Sequence, residues 1–261
     1  MIRVVHFLRR KTSLGFEEFT RYSLEQHGPM VAAHQTRLGM LRHVRTSRDP
    51  SAEALDDAAR IARGQMELPF DGIAETWWAS QRVLVDALET PAGRDALAAL
   101  VKDEDRFIDL AASPLWVAIE YPQVSVLRDR PRAASKSGIV KLSFALRSPS
   151  TMDRTKAQAY WLTNHGPLVR SHAIARGMIC YQQVHACERE TSSELHAARG
   201  TQIDDYIGHA EAWFDRLLPR AGPEVDRAAA AAIEDEANFI DWSRSSLFTG
   251  KEAIFVDRDW L

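Results

Sequence analysis

Two histidines stand in the same phrase 138 residues apart. His27-Gly28-Pro29-Met30-Val31, followed by His34, recurs as His165-Gly166-Pro167-Leu168-Val169, followed by His172. A neutral imidazole titrates at roughly pH 6.5, so it can give or take a proton near neutrality. Each phrase sits where one helical stretch gives way to another, so a side chain there can be aimed into a cavity between helix and sheet. His27 and His165 are therefore the candidate general acid or base residues. The plainer alternative is a histidine that caps a free helix carbonyl. His34 and His172 lie close to two helical turns further on and would share that face on an unbroken helix. Tyr22 and Tyr160 lie a little over one turn before it. All four are candidates to hold a substrate. The four histidines lack the His-x₃-His spacing that sets two metal ligands side by side on a helix, so no metal site is read from them.

A second repeated phrase supplies further candidates. Gly72-x-x-Glu75-x-Trp77-Trp78 recurs as Gly208-x-x-Glu211-x-Trp213-Phe214. Period-2 alternation puts Asp71, Ile73, Glu75 and Trp77 on one face of a strand. A carboxylate beside Trp77 could orient a histidine or hold a substrate hydroxyl, although a strand-end ion pair with one of the many arginines is the slightly favoured reading for Asp71, Glu75, His209 and Glu211. His209 stands where the first half has Ile73, so the two halves differ there. His6, in the middle of a strand, corresponds to Phe144. A polar residue at such a place is costly to bury unless it is bonded. It belongs on a solvated side or in a first-half pocket. Most of the aromatics near the repeated phrases belong to the core; Trp77 and Trp161 are candidates to hold a substrate, and any that line a cavity favour a flat apolar ligand.

The elements that must position these residues emerge from periodicity. Residues 2–8 read as a strand, 16–24 as a helix with apolar residues at 16, 19 and 22, 40–46 and 70–78 as strands, and 121–127 as a fourth strand. Gly28 suits a helix C-cap, and Pro29 the first position of a new turn. Residues 49–64 read as a polar insertion with a short helix. Residues 79–105 are helical, with a restart at Thr90-Pro91. The order is βαββαβ, a ferredoxin-like unit of an α+β fold. Residues 128–137 read as a linker, after which the order restarts at 139–146. The repeated anchors continue to the end, where Glu104-x-x-Phe107-Ile108-Asp109 recurs as Glu236-x-x-Phe239-Ile240-Asp241. The expected organisation is thus one domain over 1–127, the linker, and a second domain over 138–261. Such a sheet carries helices on one face only, and two of them covering each other would form a pseudo-dimeric barrel.

Composition narrows the class. The 261-residue chain has a net charge of −3 and 45% hydrophobic residues. The near balance argues against a nucleic-acid surface, which needs a basic excess. No apolar run is long enough to span a bilayer, so no membrane is expected as a partner. Cys180 and Cys187 are the only cysteines, and this scarcity fits a reducing cytoplasm. The start of the chain reads as a strand and not as a signal peptide. Gly-rich phosphate loops, the dinucleotide fingerprint and the Gly-x-Ser-x-Gly elbow are all missing.

Nearly the whole chain, as two tandem copies, resembles the EthD-like family of the dimeric α+β barrel superfamily. The resemblance rests on both His-Gly-Pro phrases with their preceding tyrosines, on Asp71–Trp77, and on the repeated Phe-Ile-Asp endings with Ser113 and Ser245. It implies paired α+β domains and a superfamily of cofactor-free monooxygenases, lactone isomerases, polyketide cyclases and haem enzymes, so fold does not choose a reaction. The expectation is a cofactor-independent enzyme using histidine acid/base chemistry on a small hydrophobic, aromatic or polyketide-like molecule, as a lyase, isomerase or cyclase, in the manner of aromatic compound catabolism. Two alternatives stand beside it: a non-catalytic ligand-binding protein, and an oxygenase that is cofactor-free or haem-dependent. The pseudo-dimer could itself pair as a homodimer.

Overall fold

The computed structural model describes residues 1–125, 131–218 and 220–258. Each half contributes four antiparallel strands: β1 Ile2–Leu8, β2 Arg42–Arg48, β3 Gly72–Trp78 and β4 Leu115–Ser125, then β5 Ile139–Leu146, β6 Met178–Ala186, β7 Gly208–Asp215 and β8 Ser246–Asp257. They close into one barrel in the order β1-β3-β2-β8-β5-β7-β6-β4. Within each half the order is fourth-first-third-second, as a βαββαβ unit requires. The seams are made by the long fourth strands. β8 pairs with β2 as far as Arg42↔Asp257, and β4 pairs with β6 as far as Ser125↔Cys180. Closure leaves no free sheet edge. Among the described residues no helix is long and apolar enough to cross a membrane.

The fourth strand begins at Leu115, six residues before the position expected from sequence, because Trp116, Val117 and Ala118 already pair with β1. Residues 126 and 127 of the expected strand, and 128–130 of the expected linker, lie outside the described residues. Further on, Ala133 is buried and ties back to the second half: Glu252 N–H donates to its carbonyl at 2.7 Å.

Helix α1 (Phe16–Tyr22) does not end at Gly28. It passes through a π turn, Ser23–His27, directly into α2 (Gly28–Ala33), with Gly28 at φ −56° and ψ −51°. The glycine leaves room for a neighbouring ring and does not form a left-handed cap. A Cβ on it would lie 2.3 Å from the Phe255 ring of β8. The short α3 (Gln35–Leu38) carries the real left-handed terminator, Gly39, at φ +65°. Residues 49–64 are not an insertion. They form α4 (Glu53–Ile61), which is matched in the second half by α9 (Ser193–Arg199). Next come α5 (Gln81–Glu89) and α6 (Pro91–Glu104). The latter is capped as expected by Thr90, whose Oγ1 accepts from Gly93 N at 2.9 Å. The second half repeats the scheme with α7 (Arg154–Tyr160), the π turn Trp161–His165, α8 (Gly166–His172) and α10 (Pro223–Glu236).

One glycine in the sheet is intolerant of change. Gly208 opens β7 at φ +143°, and a Cβ there would sit 2.0 Å from the Val184 carbonyl oxygen. Both the dihedral and the backbone clash oppose any side chain. Gly208→Ala is expected to cost about 2 kcal/mol or more, read as a lower melting temperature. An unchanged melt would show that β7 re-registers freely.

Candidate functional sites in the two halves

The repeated histidines end the two π turns. A π turn inserts one residue into the helix and re-aims the side chains beyond it, and such turns recur at functional sites. His27 is 1% exposed. Its Nδ1 lies 2.9 Å from Asp103 Oδ2, and the Tyr22 hydroxyl donates to Asp103 Oδ1 at 2.7 Å. The second half repeats this: His165 Nδ1 is 2.8 Å from Asp235 Oδ2, and Tyr160 donates to Asp235 Oδ1 at 2.7 Å. A carboxylate on Nδ1 fixes the neutral tautomer, with hydrogen on Nδ1 and the lone pair on Nε2. Each Nε2 lacks a hydrogen bond among the described residues, and each histidine lines a cavity.

The first cavity, of about 70 Å³, lies between sheet and helices. Its walls are largely aliphatic and include Val31, Leu38, Met40, Leu84 and Leu100. Its polar side is His6, His27, His43, Arg45, Glu104 and Arg199. His43 Nδ1 is held by Thr76 Oγ1 at 2.8 Å, while Nε2 of His43 and Nε2 of His6 are buried with no partner among the described residues. Burial holds His6 at a pKa of about 3 and His43 well below the usual range. Burial, then Arg45, depresses His27 as well, against the pull of Glu104 and Asp103. All three rings are neutral at pH 7. Arg45, 2% exposed, hydrogen-bonds Ser23 Oγ and has no carboxylate at ion-pair distance among the described residues. Burial brings it down to about 10, opposed by the field of Glu104.

Asp103 and Glu104 occupy the last turn of α6, where the helix dipole disfavours carboxylates. A cation from elsewhere holds Glu104 there, and Asp103 is held by Tyr22 and His27. Glu104 takes a two-point contact from Arg199 of α9, at 2.7 and 3.0 Å. Burial raises this carboxyl, but the Arg199 guanidinium, by charge and hydrogen bond, outweighs it and leaves it at about 2. In the second half Arg63, just past α4, makes the same contact with Glu236 at 2.6 and 2.7 Å. Each cavity is thus closed by an arginine that the other half supplies.

The second cavity, of about 50 Å³, is lined by His165, Trp161, Tyr181, Arg176, Arg63 and Glu236 against Leu142, Phe144, Val169, Phe214 and Phe239. Trp161 stacks on His185 with ring centroids 4.6 Å apart and donates to the Tyr181 hydroxyl at 3.0 Å. Burial takes His185 to about 4.

Several residues expected at a site lie elsewhere. On β3 and β7 the odd-numbered side chains face the barrel interior, and the even-numbered ones (Ala74, Thr76, Ala210, Ala212) face the cavities. Trp77 and His209 are therefore in the barrel, not beside the repeated histidines. His209 is fully buried, 3.2 Å from Glu211 and 3.5 Å from Glu75. Asp71 forms the strand-end ion pair, with Arg10. His34 and His172 are half-buried and outside both linings. Seven residues advance a helix by roughly 10 Å, which carries them past the cavity that Val31 and Val169 still reach. Tyr22 and Tyr160 act on the histidines through an aspartate and do not line the cavities. His6 is in the first-half pocket, one of its two expected places. Asp103, Glu104, His43, Arg45 and Arg199, with their second-half counterparts, were not anticipated. The signal for the carboxylates was present in the Asp-Glu pair repeated at 103–104 and 235–236.

Among the described residues, one trio of metal-capable side chains has its ligand atoms within 4.8 Å of one another: Glu75, His209 and Glu211. Lys141 already touches both carboxylates at 2.6 Å, and Arg3 touches them at 2.8 and 3.0 Å. The positive charge a metal would bring is supplied by side chains.

The neutral histidines predict acid sensitivity. A group whose folded pKa is depressed contributes stability that is present above its unfolded pKa and is lost as pH falls through the window below it. For His6, His43 and His185 that window opens at 6.5. The carboxylates join only below about 4.5. The urea midpoint should therefore fall between pH 7 and pH 5. A flat profile over that interval would mean the rings are not buried neutral.

The EthD domain family matches the chain over residues 11–111 and again over 149–243. No curated protein matches it. Among solved structures, a candidate monooxygenase from Fusobacterium nucleatum shares 7% identity, covering 100% of this chain and 95% of its own, with a TM-score of 0.48. A candidate monooxygenase from Lactobacillus acidophilus NCFM shares 9%, covering 98% and 96%, at 0.44. A variant of the chlorite dismutase of Candidatus Nitrospira defluvii, in complex with cyanide, shares 10%, covering 97% and 91%, at 0.41. Likeness at this level transfers no chemistry.

Proposed function

Because this chain belongs to the EthD domain family, with a copy of the domain in each half, we propose that it is an enzyme that moves a proton on a compact, mostly apolar substrate bearing a carbonyl or phenolic oxygen. The first-half cavity is the reacting site. One observation carries the reading: His27 lines a cavity with aliphatic walls, its Nε2 has no hydrogen bond among the described residues and lies 3.9 Å from Glu104 Oε1, and Asp103 grips Nδ1. That is the arrangement of a general base held in one tautomer and orientation. The rest of the cavity fits it. Arg45, buried and without a carboxylate partner among the described residues, can stabilise negative charge that develops on the substrate oxygen. The unpartnered Nε2 atoms of His6 and His43 offer hydrogen bonds to the same oxygen or to a bridging water. Aliphatic walls strengthen each of these interactions by excluding water. Return of the proton to a different atom makes an isomerase; attack of the resulting carbanion on a carbonyl of the same molecule, with the proton delivered to the new alkoxide, makes a cyclase; loss of a leaving group makes a lyase.

A substrate is not needed to test the base. Nitrobenzisoxazole reports on a base in an apolar cavity: the ring C–H proton goes to the base, its electron pair forms the nitrile, the N–O bond breaks, and a coloured cyanonitrophenolate is released. The chain should accelerate this opening above free imidazole. Because His27 is depressed, the rate should decline only below pH 6.5 and stay level above it. A rate equal to that of imidazole in solution would remove the proposal.

A further inference from the structure

Among the differences between the two cavities, three matched lining positions change chemical character, and so does a fourth that lines only the first. His6, Leu38, His43 and Arg45 of the first are replaced by Phe144, Arg176, Tyr181 and Gln183 in the second half. The changes are coordinated. The cation moves from the strand side, Arg45 on β2, to the end of the helical segment, Arg176. The residue at the old cation's place, Gln183, is spent internally: its Nε2 donates to the Trp161 carbonyl at 2.8 Å and its Oε1 meets His185.

The polar groups left open in the second cavity share one chemical sense. Arg176 lines it with no hydrogen bond from its guanidinium and no carboxylate at ion-pair distance among the described residues. Its nearest acid, Glu236, is held by Arg63. The Tyr181 hydroxyl receives two donors, Trp161 Nε1 and Gln183 Nε2, and has no acceptor for its own hydrogen among the described residues. Burial raises it to about 12, so that hydrogen stays in place. A half-buried cation and a buried O–H both lack an acceptor, and the surrounding wall is Leu142, Phe144, Val169, Met178 and Phe239. Leaving buried donors unmade is costly.

We infer that the second cavity is a separate binding site for a compact apolar monoanion, a single ring or short aliphatic body carrying one carboxylate or phenolate, whose head is taken by Arg176 and Tyr181. The duplicated chain thus carries two sites of different ligand class: one with three neutral histidines around a reacting centre, the other with a fixed anion receptor.

Benzoate and its neutral counterpart benzyl alcohol are the probes, titrated calorimetrically into the full chain at pH 7.5. Benzoate should bind, and benzyl alcohol about tenfold more weakly or less well, since a hydrogen bond to a charged group is worth about 1.5 kcal/mol or more. Arg176→Leu, which installs the residue the first half carries at Leu38, should weaken benzoate by a similar factor. Tyr181→Phe should weaken it severalfold and serves as the second variant should the first not fold. No benzoate binding in the wild-type chain overturns the inference. So does binding that survives both substitutions, and if that binding is lost instead in Arg45→Gln, the anion site lies in the first cavity. The benzisoxazole rate is read separately with Arg176→Leu, so failure here and failure of the proton-transfer reading are distinguishable.

Discussion

Lys141→Met is expected to lower the stability of the whole barrel by about 3–5 kcal/mol, a large share of the roughly 5–15 kcal/mol that holds a domain together. Lys141 is 1% exposed, with Nζ 2.6 Å from Glu75 and 2.6 Å from Glu211, and 3.5 Å from Glu252. Arg3, its counterpart in the repeat, reaches Glu75 at 2.8 Å, Glu211 at 3.0 Å and Glu120 at 3.4 Å. The cluster is a two-fold pair of triads, each cation bridging acids from both halves. Burial pushes Lys141 down, but Glu211 and Glu75 outweigh it and raise it; the same two cations hold Glu211 well below the usual carboxylate range against its own burial. Removing this cation leaves Glu75 and Glu211 with Arg3 and takes from Glu252 the ammonium 3.5 Å away, and the penalty is the desolvation of unpaired charge. An exposed pair is the control: Arg82→Ala, which breaks the contact with Asp86 on the surface of α5, should change little, as surface pairs do. Adding Glu211→Gln to Lys141→Met should recover part of the loss, because the two groups are coupled. Urea unfolding followed by tryptophan fluorescence reads all four. A Lys141→Met midpoint equal to wild type would mean that the cluster is solvated and does not bind the halves.

The fold was legible because hydrophobic period and repeat agree. The strands at 2–8, 70–78 and 139–146, the helix restart at Thr90-Pro91, and the order βαββαβ twice over are local signals that tertiary packing did not overrule. Where the reading slipped, a non-local contact decided. Gly28 looked like a cap because a glycine before proline at a helix junction usually needs a positive φ, and nothing local announces that Phe255 will lie on it. The 49–64 segment looked like an insertion because its partner surface belongs to the other half: Asp56 accepts from Thr249 N, and Arg63, paired with Glu236, completes the far cavity.

The site was legible only at its centre. His27 and His165 were marked by the repeat, but their controlling partners are 76 and 70 residues away on another helix. Asp103 and Glu104 carry no local mark of a role beyond their repetition at 235–236, and His43 and Arg45 sit in a strand, Arg42-His43-Val44-Arg45, that is polar on both faces. Such a pattern ordinarily means an edge in water. Here one face meets the charged barrel interior and the other a cavity, and only closure of the barrel buries both. The divergence of the copies was visible as a substitution at His209, although the changes that alter the chemistry of the cavities include 6/144, 38/176 and 43/181 in both linings and Arg45 in the first alone.

His27→Ala should reduce the nitrobenzisoxazole rate by about 10²–10⁴, the usual contribution of a positioned base, and should flatten its pH dependence below 6.5. Asp103→Asn should fall between the two. The amide can donate to Nδ1 as readily as it accepts, so the ring loses its fixed tautomer and part of its population presents N–H and not a lone pair to the cavity. Its signature is a loss in the plateau rate larger than any loss in KM, since substrate contacts are untouched. Arg45→Gln, which writes the second half's residue into the first, should slow the step by removing the charge that receives the developing phenolate, with the effect growing as the leaving oxygen becomes more basic. His165→Ala should cost less than His27→Ala, because the second cavity has no cation at the position of Arg45. The order His27 first, then Asp103 and Arg45, then His165 rests on geometry alone. If His165→Ala removes the rate and His27→Ala does not, the reacting site is in the second half. If neither does, the relays of Tyr22, Asp103 and His27 and of Tyr160, Asp235 and His165 serve only to fasten the π turns to α6 and α10, and their loss should then appear in the urea midpoint with no change in rate.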